Sequence, residues 1–230
     1  KYMLQIKNLT LTHKKDLREI LSDFSCAFNN GDKAVIIGEE GNGKSTLLKW
    51  LYDPLMVEEY CEAEGERLIS GEVLGYLAQE LPKEDQQKSV YEFFSEQESF
   101  WNQTPKELNQ TAAKFHIAPD FFYREQQMST LSGGEKVKAQ LMRIIFAEPT
   151  VLLLDEPSND IDIETLETLE ELILSWDKIV IYISHDETLI ERTANKIIHI
   201  EQIRRKTKSR FCIANTSYTE YLKNRSSQME

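Results

Sequence analysis

The sequence predicts an α/β fold with a mostly parallel core sheet, an antiparallel β subdomain and a helical subdomain. Three short apolar runs have the length and composition of buried strands: Ala34–Ile37, Val151–Leu154 and Ile179–Ile183. Each run is followed by a loop and a helix-like segment, and strands that alternate with helices favour parallel pairing in a three-layer core. Residues 89–128 are polar and helix-like, which predicts a separate helical part.

The composition supports one folded domain with subdomains. Of the 230 residues, 40% are apolar and 29% charged, so the chain can bury a sizeable core. Its apolar stretches are far shorter than the ~20 residues that span a bilayer, and no signal peptide opens it. The net charge of −12 argues against a broad electrostatic contact with nucleic acid or an anionic membrane. We therefore expect a soluble protein without direct membrane insertion.

The cysteines do not form a recognisable framework. Cys26, Cys61 and Cys212 are odd in number, widely spaced and without a C-x-x-C pair. A zinc site or a disulfide framework is therefore not expected, and a reducing compartment, the cytoplasm, fits best. We expect three buried structural thiols.

The order of elements predicts four parts of one domain. Strand-like runs at Leu4–Leu11 and Val73–Leu77, within residues 1–28 and about 57–78, are expected in an antiparallel side sheet. The expected parts are a β subdomain with a glycine-rich loop over about 1–78, a helical subdomain over 82–130, the rest of the core over 131–200, and a C-terminal hairpin leading to a linker over 201–230.

The glycine-rich loop follows the first predicted core strand. Residues Gly38-Glu-Glu-Gly-Asn-Gly-Lys44-Ser45 fit G-x-x-x-x-G-K-[ST], and the helix after them carries Leu47, Leu48 and Leu51 on one face. Backbone N–H groups of such a loop bind phosphate oxygens at a helix N-terminus. Lys44 is expected to reach the β- and γ-phosphates and the Ser45 hydroxyl to ligate Mg²⁺. The predicted nucleotide-binding residues are Gly38, Gly41, Asn42, Gly43, Lys44, Ser45 and Thr46.

Two acidic residues follow the second core strand. An apolar strand of a parallel sheet delivers the residues at its carboxyl end, here Asp155 and Glu156, to the ligand crevice. Asp155 is expected to hold Mg²⁺ directly or through water, and Glu156 to polarise the attacking water as general base. After the third core strand, Ser184 and Glu187 have the spacing of a capping box, which predicts a helix beginning just after His185.

A second glycine pair opens another predicted helix. Leu131-Ser132-Gly133-Gly134-Glu135 precedes a helical face made of Val137, Leu141, Ile144 and Ile145. Such a helix N-terminus can bind an anion, but one nucleotide has little need of two. We therefore expect it to bind the γ-phosphate of a partner's nucleotide; a plain helix cap is the alternative.

Together these motifs resemble those of the ATP-binding-cassette (ABC) ATPases over nearly the whole chain. Leu131–Glu135 resembles the signature motif, Gln79 the Q-loop glutamine, residues 158–162 the D-loop and His185 the switch histidine. The resemblance implies a RecA-like P-loop core that hydrolyses ATP with Mg²⁺ in a head-to-tail pair of cassettes. It implies roles for Gln79 in sensing Mg²⁺ and water, and for His185 at the γ-phosphate. It also implies that two groups of residues act on the partner cassette. The signature residues Ser132, Gly133, Gly134 and Glu135 would bind the partner's nucleotide, and Asp160 and Asp162 of the D-loop would contact the opposite subunit.

One element of that family is not evident. ABC cassettes usually stack adenine on an aromatic residue about thirty positions before the phosphate-loop lysine, and such stacking is worth ~1–3 kcal/mol. Residues 11–15 read Leu-Thr-His-Lys-Lys, so His13 is the one candidate. The preference for adenine over guanine stays open.

Three features resemble the soluble ABC-F translation factors more than transporter cassettes. The D-loop reads Ser-Asn-Asp-Ile-Asp, the switch reads Ser-His-Asp, and residues 215–222 resemble the ABC-F ending Gly-Asn-Tyr-Ser-x-Tyr. ABC-F proteins join two cassettes by a linker that reaches into the ribosome, and many confer antibiotic resistance. We expect the first cassette of such a protein, with ATP, a second cassette and the ribosome as partners. The alternatives are a transporter's cassette and a nucleotide-gated module that barely hydrolyses ATP.

Two further clusters allow more than one interpretation. A basic run could meet rRNA phosphates or be a solvated hairpin tip; it comprises Arg204, Arg205, Lys206, Lys208 and Arg210. Four aromatic residues are expected in the core of the helical subdomain, with a groove for a partner as the alternative: Phe93, Phe94, Phe100 and Trp101.

Overall fold

The computed structural model describes residues 4–39, 43–203 and 208–229. Two predicted phosphate-loop residues, Gly41 and Asn42, lie outside the described residues. So do Arg204, Arg205 and Lys206 of the basic run, and the side chain of Lys208.

The described residues form two sheets and a set of α-helices around them. The strands are β1 Leu4–His13, β2 Glu19–Phe28, β3 Lys33–Ile37, β4 Cys61–Leu68, β5 Leu74–Leu77, β6 Val151–Asp155, β7 Ile179–Ile183, β8 Lys196–Ile203 and β9 Lys208–Ala214. The helices are α1 Lys44–Tyr52, α2 Lys83–Gln86, α3 Val90–Ser95, α4 Glu98–Trp101, α5 Pro105–Lys114, α6 Gly133–Phe146, α7 Ile163–Ser175, α8 Glu187–Thr193 and α9 Tyr218–Met229.

The core sheet has the strand order β5-β6-β7-β3-β8-β9. All neighbouring strands are parallel except β9, which pairs antiparallel with β8. Every residue of β6 and β7 is buried, as expected of apolar strands in a sheet covered on both faces. The α/β class and the mostly parallel core predicted from the sequence are confirmed.

The side sheet is antiparallel, with the order β2-β1-β4. The prediction that Val73–Leu77 belongs to it is wrong, because β5 pairs parallel with β6 in the core sheet. At Gly75 a Cβ would come within 2.5 Å of Ile144 Cγ2, so glycine lets this strand pack closely on α6. The partner strand lies far along the chain, and the local pattern of four residues carries no information about it.

Two apolar clusters cover the two faces of the core sheet. Leu152 and Leu154 of β6 belong to one cluster, and Val151 and Leu153 to the other, as the alternation of a strand requires. The first cluster continues into the helical subdomain and includes Phe93, Phe94 and Phe100, as predicted.

Trp101 departs from that prediction. Its side chain is 60% exposed, and its indole N–H donates a hydrogen bond to the Ser95 carbonyl at 2.7 Å. This bond satisfies the polar end of the ring at the surface, while one edge still packs on Phe100 with ring centroids 5.3 Å apart.

The thiols depart from expectation at one position. Cys26 and Cys61 are buried and free, whereas Cys212 is free and exposed. Cys212 lies on β9, the outermost strand of its sheet, and its neighbour Phe211 takes the face that packs on the core.

The C-terminal segment is a hairpin followed by a helix. β8 and β9 form the hairpin, and α9 continues from Tyr218. Within the part of the chain that the structure describes, no helix is both long and apolar enough to cross a bilayer.

Candidate functional site

The predicted phosphate-binding and catalytic residues that the structure describes converge at one edge of the core sheet. β3, β6 and β7 are parallel neighbours, so their carboxyl ends lie side by side. A cleft of about 500 Å³ opens there, lined by the start of α1, the loops after β5, β6 and β7, and the β1–β2 turn. We call it the nucleotide cleft, after the predicted phosphate-binding residues in its lining. Its lining residues are His13, Arg18, Ile20, Gly43, Lys44, Ser45, Thr46, Tyr60, Gln79, Glu156, Ile183 and His185.

The glycines of the phosphate loop meet steric demands of the backbone. Gly38 and Gly43 have φ values of 149° and 77°. A Cβ at Gly43 would also overlap the Ile20 side chain. Gly43 is the N-cap of α1 and supplies no side chain, and the first turn of α1 contains no acidic residue. The helix N-terminus therefore presents backbone N–H groups and positive potential to the cleft.

Lys44 is the buried cation of this cleft. Its side chain is only 6% exposed, and its Nζ donates hydrogen bonds to the carbonyls of Gly38 at 2.8 Å and Glu39 at 2.7 Å. The ammonium group is thus held against the main chain that follows β3, beside the N-terminus of α1, where a bound phosphate would lie.

Asp155 is a buried carboxylate at the end of β6. Burial raises its pKa, and a hydrogen bond from the Ser45 side chain opposes that shift. Its Oδ1 is buried, and no hydrogen-bond partner for it lies among the described residues. An unsatisfied carboxylate oxygen beside a serine hydroxyl provides the hard oxygen ligands that Mg²⁺ takes in nucleotide sites, where phosphates and water complete the octahedron. The residues therefore fit the metal that the motifs imply.

Glu156 and His185 are brought together. The Nε2 of His185 lies 3.0 Å from Oε1 of Glu156; the glutamate side chain is 11% exposed and the histidine side chain 50%. Glu156 has a φ of 52°, a conformation uncommon outside glycine, and its N–H donates to the Ile183 carbonyl at 2.9 Å. The backbone turn after β6 thus directs this carboxylate into the cleft.

The helix after β7 begins near the predicted position but is capped differently. α8 starts at Glu187, and the side chain of Asp186 accepts the N–H of Leu189. Ser184 does not cap α8, because its Oγ accepts the N–H of Asp186 and lies 3.0 Å from the Ser158 Oγ. Ser184 thereby links the switch segment to the loop after Glu156.

The signature-like residues lie away from the nucleotide cleft. None of the described residues lining the nucleotide cleft comes from 132–135. Gly133 instead lines a cleft of about 450 Å³ together with Gln79, Asn159 and Asp160. Gln79 lines both clefts and so connects them.

The N-terminus of α6 is a complete capping box. The Ser132 Oγ accepts the N–H of Glu135 at 3.1 Å, and Glu135 Oε1 accepts the N–H of Ser132 at 3.1 Å. Arg124 lies 3.2 Å from the other oxygen of Glu135. These bonds, together with the charge of Arg124, lower the pKa of Glu135 against the opposing effect of burial.

The two signature glycines pack against the D-loop of the same chain. A Cβ at Gly133 would overlap the Asp160 carbonyl oxygen, and one at Gly134 would overlap the Thr165 Oγ1. Asp160 has a φ of 57°, and Asp162 accepts a hydrogen bond from Thr165 that lowers its pKa. The glycines are therefore required by packing within the chain as well as suited to a ligand.

Four residues that line the nucleotide cleft were not predicted as site residues, the two isoleucines Ile20 and Ile183 and the polar residues Arg18 and Tyr60. Arg18 arrives on the β1–β2 turn and Tyr60 on the segment before β4. Neither belongs to a motif, and only the pairing of β1 with β4, which aligns His13 with Cys61, brings Tyr60 to the cleft.

The chain matches a known protein-family model and several curated relatives. The family model described as "ABC transporter" matches residues 21–159. The curated relatives include the ATP-binding protein Uup of Escherichia coli (strain K12), 34% identical over 187 residues, covering 78% of this chain and 28% of the relative. They also include the energy-dependent translational throttle protein EttA of Haemophilus influenzae, 30% identical, covering 85% of this chain and 34% of the relative. The chain thus spans about a third of the length of these relatives or less.

Solved structures show the same fold. A nucleotide-free ATP-binding cassette from an ABC transporter superposes with a TM-score of 0.73 at 16% identity, covering 97% of this chain and 94% of the other. A chain from a model of ribosome-bound archaeal Pelota and ABCE1 superposes with a TM-score of 0.70 at 20% identity, covering 94% of this chain and 35% of the other. At these identities the likeness concerns the fold alone.

Proposed function

The chain belongs to the ABC family of ATP-binding cassettes, and from this premise we propose that it hydrolyses ATP between two cassettes arranged head to tail. One observation carries the catalytic part of the proposal. Glu156 and His185 contact each other at 3.0 Å in the same cleft as Lys44. A carboxylate, an imidazole and a buried ammonium thus face one space in which a triphosphate fits.

Different groups of the cleft bind the phosphates and the metal ion in the proposed complex. The N–H groups at the start of α1 and the ammonium of Lys44 bind the phosphates, in place of the carbonyls that Lys44 now contacts. Ser45, Asp155 and Gln79 would hold Mg²⁺, which when bound neutralises charge on the β- and γ-phosphate oxygens.

Glu156 is the general base in the proposed reaction. As the oxygen of water bonds to the γ-phosphorus, the bond from that phosphorus to the oxygen of ADP breaks, and the proton of the water passes to Glu156. The contact between His185 and Glu156 orients the carboxylate, and Gln79 lies in the same cleft to position the water.

The second cassette completes the site in the proposed dimer. The signature-like residues do not line the nucleotide cleft of their own chain; they are Ser132, Gly133, Gly134 and Glu135. In a head-to-tail pair they would face the nucleotide of the partner, with Asp160 and Asp162 at the contact between the subunits.

The test is Glu156→Gln, which keeps the size and polarity of the side chain and removes the proton acceptor. We expect ATP turnover to fall by about 10²- to 10⁴-fold while ATP affinity stays within about threefold of wild type. The matched control is Glu167→Gln on the exposed side of α7, which should leave both quantities unchanged. Turnover in purified Glu156→Gln protein equal to that of the control would contradict the assignment.

We further propose that the cassette works in a cytoplasmic ABC-F protein that binds the ribosome. The relatives named Uup and EttA, one of them a translational throttle, support this, as do the ABC-F-like D-loop and switch sequences. The basic run adds little to this support. Arg210 on β9 is paired with Glu201 at 2.6 Å, so it offers rRNA little unpaired charge.

Co-sedimentation tests this part of the proposal. The full-length protein carrying Glu156→Gln, with the equivalent change in any second cassette, is incubated with ATP and separated with ribosomes or with membranes. We expect it to pellet with ribosomes with ATP and to remain in the supernatant without nucleotide, because only the ATP-bound, closed pair of cassettes presents the ribosome-binding form. Membrane association without ribosome binding would overturn the ABC-F role and favour a transporter cassette, leaving the ATP chemistry unchanged.

A further inference from the structure

We propose that Tyr60, together with His13, forms the platform on which the base of the nucleotide stacks in this chain. The inference rests on the proposed ATP-binding function and concerns the part of the cleft that the phosphate motifs do not explain. It assigns the base to an aromatic residue that comes after the phosphate loop in the sequence, on the segment preceding β4.

The lining of the cleft leaves few rings for this role. Of the described residues that line it, three carry rings: His13, Tyr60 and His185. His185 contacts Glu156 and so belongs to the end of the cleft where the γ-phosphate reacts. Tyr52 and Tyr76 stack on each other, with centroids 5.1 Å apart and planes inclined by 22°, and neither lines the cleft. His13 and Tyr60 remain.

Tyr60 lies beside the phosphate-binding helix. Its hydroxyl is 3.4 Å from the Thr46 Oγ1, within the first turn of α1. The phenol ring is half-buried, with its apolar side against the cluster beneath the side sheet and part of its surface open to the cleft. A base joined through a ribose to phosphates at the start of α1 is therefore within reach of this ring.

Hydrogen bonds hold the two segments that carry these rings. The N–H of Lys14 donates to the Tyr60 carbonyl at 3.0 Å, and the Lys14 Nζ donates to the Glu58 carbonyl at 2.6 Å. These bonds tie the β1–β2 turn to the segment before β4. His13 is held as well, since its Nδ1 accepts the N–H of Lys15 at 3.3 Å. A platform that is rigid before binding loses little conformational entropy when the base arrives.

The geometry of the two rings suits one flat ligand. Their centroids are 6.1 Å apart and their planes are inclined by 47°, so the rings do not stack on each other. They form an open angle, in which a purine can stack on the phenol face and meet the imidazole with its edge. Because every base has a π-face, this platform should accept adenine and guanine alike.

The test compares a ligand that has a base with one that has none. Mg²⁺–ADP and Mg²⁺–pyrophosphate are titrated calorimetrically into wild type, Tyr60→Ala and Tyr60→Phe. We expect Tyr60→Ala to weaken ADP binding by about 5- to 150-fold, the range for loss of one stacked base, and to change pyrophosphate affinity by less than about twofold. Tyr60→Phe keeps the ring and should bind ADP within about threefold of wild type. Tyr123→Ala, an exposed tyrosine of the helical subdomain, is the control and should bind like wild type.

Each contrary result has a distinct meaning. Wild-type affinity for ADP in Tyr60→Ala would overturn the inference. Equal losses for ADP and pyrophosphate would show that Tyr60 only supports the phosphate loop, and equal losses in Tyr60→Ala and Tyr60→Phe would show that the hydroxyl, not the ring, matters. Wild-type protein that binds neither ligand would refute the proposed ATP-binding function itself.

A second variant reports stacking directly. Tyr60→Trp places an indole on the same platform, and stacking of a base on an indole quenches its fluorescence. We expect ADP, GDP and their triphosphates to quench the added emission and pyrophosphate to leave it unchanged. Saturating ADP without quenching would also overturn the inference.

Discussion

At the scale of single residues, His199 is a histidine that its surroundings hold neutral. Its side chain is 17% exposed, and its Nδ1 lies 2.6 Å from the Tyr221 hydroxyl and 3.2 Å from the Arg225 guanidinium. Burial, followed by the charges of Arg225 and Arg210, lowers its pKa to about 4. Glu201 lies 3.5 Å from the Nε2 but is already paired with both arginines.

This depressed pKa makes stability depend on acid. In the unfolded chain a histidine takes up a proton near pH 6.5, whereas the folded protein resists doing so until about pH 4, so stability falls as pH decreases through this window. His199→Asn keeps an acceptor near the Nδ1 position and removes the titration. Between pH 7 and 4.5, we expect the free energy of unfolding to drop by about 2 kcal/mol more in wild type than in the variant.

Urea unfolding at several pH values measures this difference. The control is His116→Asn, at an exposed histidine with a φ of 56° that asparagine tolerates well. The control should show the same loss toward acid as wild type. Parallel pH profiles for wild type and His199→Asn would contradict the prediction.

At the scale of elements, the strands and helices with strong local patterns were predictable. β3, β6 and β7 are short apolar runs between turn residues, and the helix after the phosphate loop follows from Leu47, Leu48 and Leu51 on one face. β5 was assigned to the wrong sheet because strand partners are chosen by contacts far along the chain. Tyr60 was missed for the same reason, since its place in the cleft depends on the pairing of β1 with β4.

Motif chemistry predicted the centre of the candidate site better than its surroundings. Lys44, Glu156 and His185 line one cleft because parallel strands bring their carboxyl ends together. The contacts of the signature glycines with the D-loop could not be predicted, because a glycine required by packing and one required by a ligand look alike in sequence. In the structure, Gly133 lies directly against the Asp160 carbonyl.

Because of those contacts, the N-terminus of α6 and the D-loop are packed tightly against each other. A displacement of Asp160 toward α6 would have to move Gly133, because a main-chain oxygen has no rotamer by which to yield. Gln79 lines the cleft between these segments and the nucleotide cleft as well. The three segments therefore form a contiguous path from the nucleotide cleft to the surface that the proposed second cassette would meet.

At the scale of the whole molecule, the proposed dimer requires that one chain hold two halves of a site that do not meet within it. Lys44 lines the nucleotide cleft and Ser132 does not. If the halves meet only between two cassettes, two inactive variants of this 230-residue cassette, which on its own must pair with a second copy of itself, should restore each other. Lys44→Ala removes the phosphate-binding cation, and Ser132→Arg places a bulky charge at an exposed signature position. In the mixed pair, one site combines an intact Lys44 with an intact Ser132.

We expect each variant alone to be nearly inactive, and an equal mixture to recover about a quarter of wild-type turnover, because half of the pairs are mixed and each has one intact site. Turnover per chain should also rise with protein concentration, since the pair must assemble. Urea unfolding is the control for misfolding. Both variants should have a free energy of unfolding within ~1 kcal/mol of wild type, which is the cost of losing the Ser132 cap. A mixture that stays inactive, while wild-type turnover per chain is independent of concentration, would show that each cassette completes its site alone.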